Sequence, residues 1–263
     1  MHIVRRRRGS KKSGGGGSGQ RAGQIGERDK RLPKISAQLK VSGIQRCADG
    51  DVAGVRALLA AGEWDPVHAV DKNQATALMW AAGNGHLEVS ELLLEQDGVE
   101  VDAVNKQGRT ALMQAAKHGQ LAVVRLLIEK GKAELSQLMR DGSAVLDWAV
   151  LGGHLPTVEY LLGLGPEVVD PAAVNSFGCN AVHWACSVGN VKTCKWLLLY
   201  KDRGHGFDFE VINHANHGAV DAAAWHGHRA CVEWLLVADD GPRLTAQLAL
   251  IDKEGRSVVE LAR

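Results

Sequence analysis

From residue 73 onward the apolar residues fall into a repeating pair of short blocks. "NQATALMWAAGNGHLEVSELLL" (73–94) sets the pattern, a run of small and apolar residues, a glycine, then an amphipathic stretch ending in paired leucines. It returns in "KQGRTALMQAAKHGQLAVVRLLI", "RDGSAVLDWAVLGGHLPTVEYLL", "SFGCNAVHWACSVGNVKTCKWLL" and "ANHGAVDAAAWHGHRACVEWLL". The marker glycines are Gly85, Gly119, Gly153, Gly189 and Gly227, spaced by 34, 34, 36 and 38 residues. Each unit predicts two antiparallel helices. Thr76, Thr110 and Asn180 stand where a side-chain oxygen caps the first helix. Paired alanines allow close approach, the glycine reverses the chain, and Leu92-Leu93, Leu126-Leu127, Leu161-Leu162, Leu197-Leu198 and Leu235-Leu236 fill the interior. One such hairpin cannot bury its own apolar face, so the units stack into a solenoid.

The wording of the repeat resembles the ankyrin repeat family. The resemblance rests on "TALM" (76–79 and 110–113) and "NAVH" (180–183) at the first helix. "GHLE", "GHLP" and "GHRA" open the second. "DKNQ", "NKQG", "MRDG", "NSFG" and "DKEG" sit where the family places its β-hairpin fingers. The likeness covers about residues 43 to 263. It implies an all-α solenoid with short β-hairpin fingers and a disordered basic tail at 1–34. A degenerate capping repeat covers 35–70. Five repeats follow at about 71–104, 105–138, 139–174, 175–212 and 213–250, and an incomplete last one at 251–263. No repeat keeps the family's proline, and residues 200–218 imply an extended finger or loop. A stack ending inside a first helix is expected to expose apolar surface near Val258, Val259 and Leu261.

Composition changes this picture little. A net charge of +1 over 263 residues excludes a polyanion binder as a whole. No apolar run is long enough to span a bilayer. Five cysteines without a signal peptide read as reduced thiols of a cytoplasmic or nuclear protein. The charge is uneven, however. Arg5 to Arg8, Lys11 and Lys12 precede any acid, and "SGGGGSG" follows. That tail suits a nuclear import signal, a nucleic-acid or anionic-surface contact, or a plain solvated segment. Four glycines oppose the amphipathic helix of a presequence.

The cysteine-rich segment 179–190 tempts a metal reading through Cys179, His183 and Cys186. It lacks a fourth ligand and the paired spacing of structural zinc sites. In register, Trp184 matches Trp80 and Trp148, Trp196 matches Trp234, Cys186 matches Ala82 and Ala116, and Cys194 matches Val232. These read as packing positions. His86, His154 and His228, beside the turn glycines, read as bonds to backbone across repeats, as in the family. With no phosphate-binding glycine loop and no nucleophile elbow, the sequence indicates no enzyme, no cofactor and no metal. One row, Met79, Met113, Asp147, His183, Asp221 and Glu260, would set His183 between carboxylates of neighbouring repeats. Close approach raises its pKa above the ~6.5 reference, whereas solvated or locally bonded side chains about 10 Å apart hardly interact.

The resemblance further implies a partner protein docked on the concave face, on finger tips and the ends of the first helices. The tips are Lys72, Asn73, Lys106, Gln107, Arg109, Arg140, Asp141, Ser176, Phe177 and His214. The helix ends contribute Asn84, Lys117, His118, Val188, Trp225 and His226. Lys72, Lys106, Arg109 and Arg140 would make a basic stripe for an acidic partner, and Phe177, Val188 and Trp225 an apolar anchor. Alternatively, the lysines are ordinary solvated surface and Trp225 packs on the long loop.

Overall fold

The computed structural model describes residues 43–201 and 206–261. The basic tail expected at 1–34, with its Arg5–Lys12 cluster, lies outside the described residues. Six helical hairpins follow one another. They are α1 (Gly43–Asp49) with α2 (Val52–Ala61), α3 (Ala77–Asn84) with α4 (Leu87–Leu94), and α5 (Ala111–Lys117) with α6 (Leu121–Glu129). Then come α7 (Val145–Gly152) with α8 (Leu155–Leu162), α9 (Ala181–Ser187) with α10 (Val191–Lys201), and α11 (Ala219–Trp225) with α12 (Arg229–Leu236). A 3-10 turn (Thr245–Ala249) and the short α13 (Val258–Leu261) complete the described chain.

The first helices start where the sequence puts an acceptor. Thr76 Oγ1 accepts the Met79 N–H and Thr110 Oγ1 that of Met113, both at 3.2 Å. Asn180 Oδ1 accepts the His183 N–H at 3.2 Å. Each such cap contributes about 1 kcal/mol to its helix. At the turns, Gly119 (φ 70°) and Gly189 (φ 67°) adopt the left-handed conformation that side chains resist. They are constrained twice over, because a Cβ on either would run into the imidazole of the next hairpin, His154 or His228. Those imidazoles do bridge hairpins: His86 Nε2 donates to Ala48 O (2.9 Å) and His228 Nε2 to Ser187 O (3.0 Å).

Ala81, Ala82, Ala115, Ala116, Ala149 and Ala185 are fully buried. Lacking bulk, they let successive first helices pack more closely than the second helices, where paired leucines hold the backbones apart. A single apolar cluster runs through the stack from Ile44 to Val258.

Two expectations need correction. Residues 206–218 form a loop, as one reading expected, but its first part is core and not a projecting finger. Phe207 and Phe209 turn inward and are among the most buried side chains. Asn180 Nδ2 donates to Asp208 O (2.8 Å) and Gln247 Nε2 to Phe209 O (2.9 Å), fixing two adjacent carbonyls of the segment from the hairpins on either side. At the last helix, Val259 is exposed as expected, but Val258 is buried, packed into the core cluster that includes α11.

Candidate functional site

The fingers are built by one device. A side-chain carbonyl or carboxylate at the base of each loop accepts two backbone N–H groups, an Asx turn. Asp71 Oδ1 takes Asn73 and Ala75, and Asn105 Oδ1 takes Gln107 and Arg109. Asn175, Asn213 and Asp252 do the same in the later fingers. The third loop has Met139 at this place instead, and its sulfur receives the Trp148 indole N–H at 2.8 Å. Neighbouring fingers are then laced by backbone bonds: Lys106 N to Asn73 O (2.9 Å), Ser176 N to Asp141 O (2.8 Å), His214 N to Phe177 O (2.8 Å). These bonds join the first finger to the second, and the third to the fourth and fifth, so the tips form a ridge laced in two stretches.

On that ridge Lys72, Lys106, Gln107, Arg140, Ser176, Phe177 and His214 are exposed, while Asn73 and Asp141 are half-buried. Phe177 and Trp225 are each 37% exposed. Asn84, Arg109, His118, Val188 and His226 are half-buried. Asn84 is committed to structure, its Nδ2 donating to Ala48 O at 2.7 Å. Lys117 is a correction: it is buried rather than presented at a helix end. The reason is Trp148, whose ring lies 5.0 Å from the Lys117 ammonium and 4.5 Å from the Arg109 guanidinium. Arg109 thus belongs to a cation–π sandwich rather than to an open basic stripe. Lys72, Lys106 and Arg140 remain as its exposed members. Trp225 stands between the His217 ring (5.7 Å) and the Arg256 guanidinium (5.2 Å). It packs on His217, inside the long 200–218 segment, as the alternative expected, and on Arg256 of the last finger.

Of the two readings of the row through His183, the structure shows locally bonded side chains and not an imidazole held between carboxylates. Asp147 and Asp221 turn back onto their own helix starts, accepting the N–H of Ala144 and Gly218 at 2.9 Å each. Burial pushes Asp147 up to about 7 and raises Asp221 too. His183 is likewise folded inward. Its Nδ1 lies 2.8 Å from Asn180 Oδ1 and 3.3 Å from the Asn180 N–H, and its Nε2 faces His217 O (3.2 Å). Burial pushes its pKa down to about 4, opposite to the rise that nearby carboxylates would cause.

The residues of the tempting metal motif are not brought together. Cys179 Sγ receives the Asn213 Nδ2 donor (3.3 Å) and His183 is consumed as above, while Cys186 joins Cys194 and Cys231 in the core. Sequence comparison now decides the family. A model described as Ankyrin repeats (3 copies) matches residues 44–138, 97–172 and 146–247. The chain belongs to the ankyrin-repeat family. Among solved structures it is similar to the human ASB11 ankyrin repeat domain, at 24% identity and a TM-score of 0.64, over 89% of this chain and 92% of that one. At that identity the likeness speaks for the fold alone. No curated protein sequence matches the chain significantly. Ankyrin repeats are general protein–protein interaction modules, and this array is built of them. No helix among the described residues is long and apolar enough to cross a membrane.

Proposed function

We propose that this ankyrin array is a non-enzymatic adaptor that docks a partner protein along its fingers and first helices. The observation that carries the reading is the laced ridge of fingers. It is rigid through its Asx turns and inter-finger bonds, yet it exposes Lys72, Lys106 and Arg140 at one end and Phe177 and Trp225 at the other. A preorganised surface loses little conformational entropy on binding. Exposed cations steer an acidic partner, and aromatic side chains supply the anchor. The partner we propose therefore carries acidic residues opposite the first fingers and an apolar residue opposite Trp225.

Affinity capture with the intact chain, against a Lys106→Glu, Trp225→Ala double variant, tests this. Loss of the captured partner with retained helicity supports the ridge. A Leu199→Ala variant on the outer helix α10, where Leu199 is exposed, is the control and should leave capture unchanged. Equal capture by the double variant places the docking surface elsewhere. The composition of the tail favours a second reading, in which Arg5–Lys12 add nuclear import or nucleic-acid contact while the repeats recruit protein. Deleting residues 1–24 separates the two, because an adaptor confined to its repeats keeps its distribution and its partner.

A further inference from the structure

The seam between the fifth hairpin (α9–α10) and the sixth (α11–α12) differs chemically from every other seam in the array. Three buried positions meet at each: three residues before the turn glycine, five residues after it, and four residues after the next turn glycine. At the first seam they are Cys47, Val55 and Val89, so a thiol there faces two valines. The following seams carry combinations of Ala, Ser, Val and Thr. Only the last has sulfur at all three places, as Cys186, Cys194 and Cys231. Their Sγ atoms all lie within 4.8 Å of one another, with Cys186 and Cys194 at 3.8 Å, and all three residues have no solvent exposure.

We infer that Cys186, Cys194 and Cys231 form a three-thiolate site for one soft monovalent cation, Cu(I), lying across this seam. Geometry comes first. A metal–sulfur bond of about 2.3 Å places an ion at the centre of a sulfur triangle with sides of about 4.0 Å. The observed spacing, at most 4.8 Å, needs a contraction of up to about 0.8 Å at its widest. Chemistry comes second. Thiolates select Cu(I), zinc and iron–sulfur centres over harder ions. No histidine or carboxylate ligand atom joins the three sulfurs among the described residues. Zinc is almost always four-coordinate, taking water where protein ligands run out, and this site is closed to water. A three-coordinate soft ion fits it. Each ligating thiol releases its proton to solvent as the sulfur–metal bond forms. An ion here would staple the two hairpins that carry Phe177 and Trp225 at their fingers and helix ends.

The array supplies its own substitutions. Cys186→Ala, Cys194→Val and Cys231→Val each install the residue found at the same place in other hairpins (Ala82, Val124, Val123), so the triple variant is expected to fold, checked by circular dichroism. Reduced full-length chain is given Cu(I) as its acetonitrile complex, in the native state and during refolding, and then challenged with bicinchoninate. The proposal expects one copper retained per chain and a three-sulfur shell by X-ray absorption. It expects neither in the triple variant and both in a Cys47→Ala, Cys179→Ala variant. Copper surrendered by the wild type, equal retention by the triple variant, or displacement of copper by equimolar Zn(II) would each overturn it.

Discussion

The hairpins of residues 71–138 and those of residues 139–250 share one backbone plan but solve the start of the first helix differently. In the earlier pair the acceptor is the hydroxyl of Thr76 or Thr110, and the third helical residue is a methionine. In the later hairpins Ala144 and Gly218 have no side-chain oxygen to offer, and Asp147 and Asp221 reach back from the third position instead. The hairpin of α9 uses both ends at once, through Asn180 and His183. The difference teaches that a helix start requires a satisfied hydrogen bond, not a particular residue. The two solutions carry different side effects. A threonine cap is electrically silent, whereas an acid or imidazole at the third position buries a titratable group. The thiol cluster adds to the same contrast, since the seam between the two hairpins of residues 71–138 holds only Ala82, Ser90 and Val123.

The largest effect that would sharpen this contrast is on packing. Phe209→Ala empties a core position held by the 206–218 segment and is expected to cost about 3–5 kcal/mol in urea unfolding. Hydrogen exchange should quicken mainly in α9 to α12; uniform quickening would mean that the later hairpins do not depend on this segment.

Next come two pH effects of opposite sign. Asp147 has its pKa raised on folding, from 3.8 to about 7. The unfolded chain thus ionises first, and stability falls as pH rises from about 4 to about 7. His183 has its pKa lowered, from 6.5 to about 4. Its contribution is complete above about 6.5 and is lost as pH falls toward 4. Each is on the order of 2–4 kcal/mol, so they largely oppose one another in the intact chain. Asp147→Asn should leave a stability that climbs from pH 4 to 6.5, and His183→Gln one that declines from pH 4 to 7. Parallel curves for both variants would break the comparison.

Thr110→Ala should cost about 1 kcal/mol, equally at pH 5 and pH 7.5, because no charge is involved. A pH-dependent loss would show that the first half is not silent. The smallest effect is kinetic: Lys106→Glu should leave urea stability within about 0.5 kcal/mol. It should also slow association with an acidic partner at low salt, as measured by stopped flow.

Much of the frame was legible in the residues, because glycine, alanine and leucine recur in phase and each maps to a packing role. The misreadings share a physical cause, that register fixes position along the array but not the direction a side chain takes. For His183 the residues left two arrangements open, and only the structure shows that it and the two carboxylates fold back onto their own helix ends. Lys117 was placed at an exposed helix end, yet it lies over Trp148. Phe207 and Phe209 belong to no period, so nothing marked them as core. The thiol cluster escaped because its members occupy three different places in the repeat and meet only across a seam. The finger ridge was visible in outline, while its cation–π sandwich at Trp148 required the structure.

The most direct measurement is an NMR titration of the His183 imidazole in the folded chain. A buried neutral ring, flanked by acids that face their own helix starts, predicts a pKa near 4. A value at or above 6.5 would put ionised carboxylates beside it and contradict the inward-turned helix starts on which the contrast between the two halves depends.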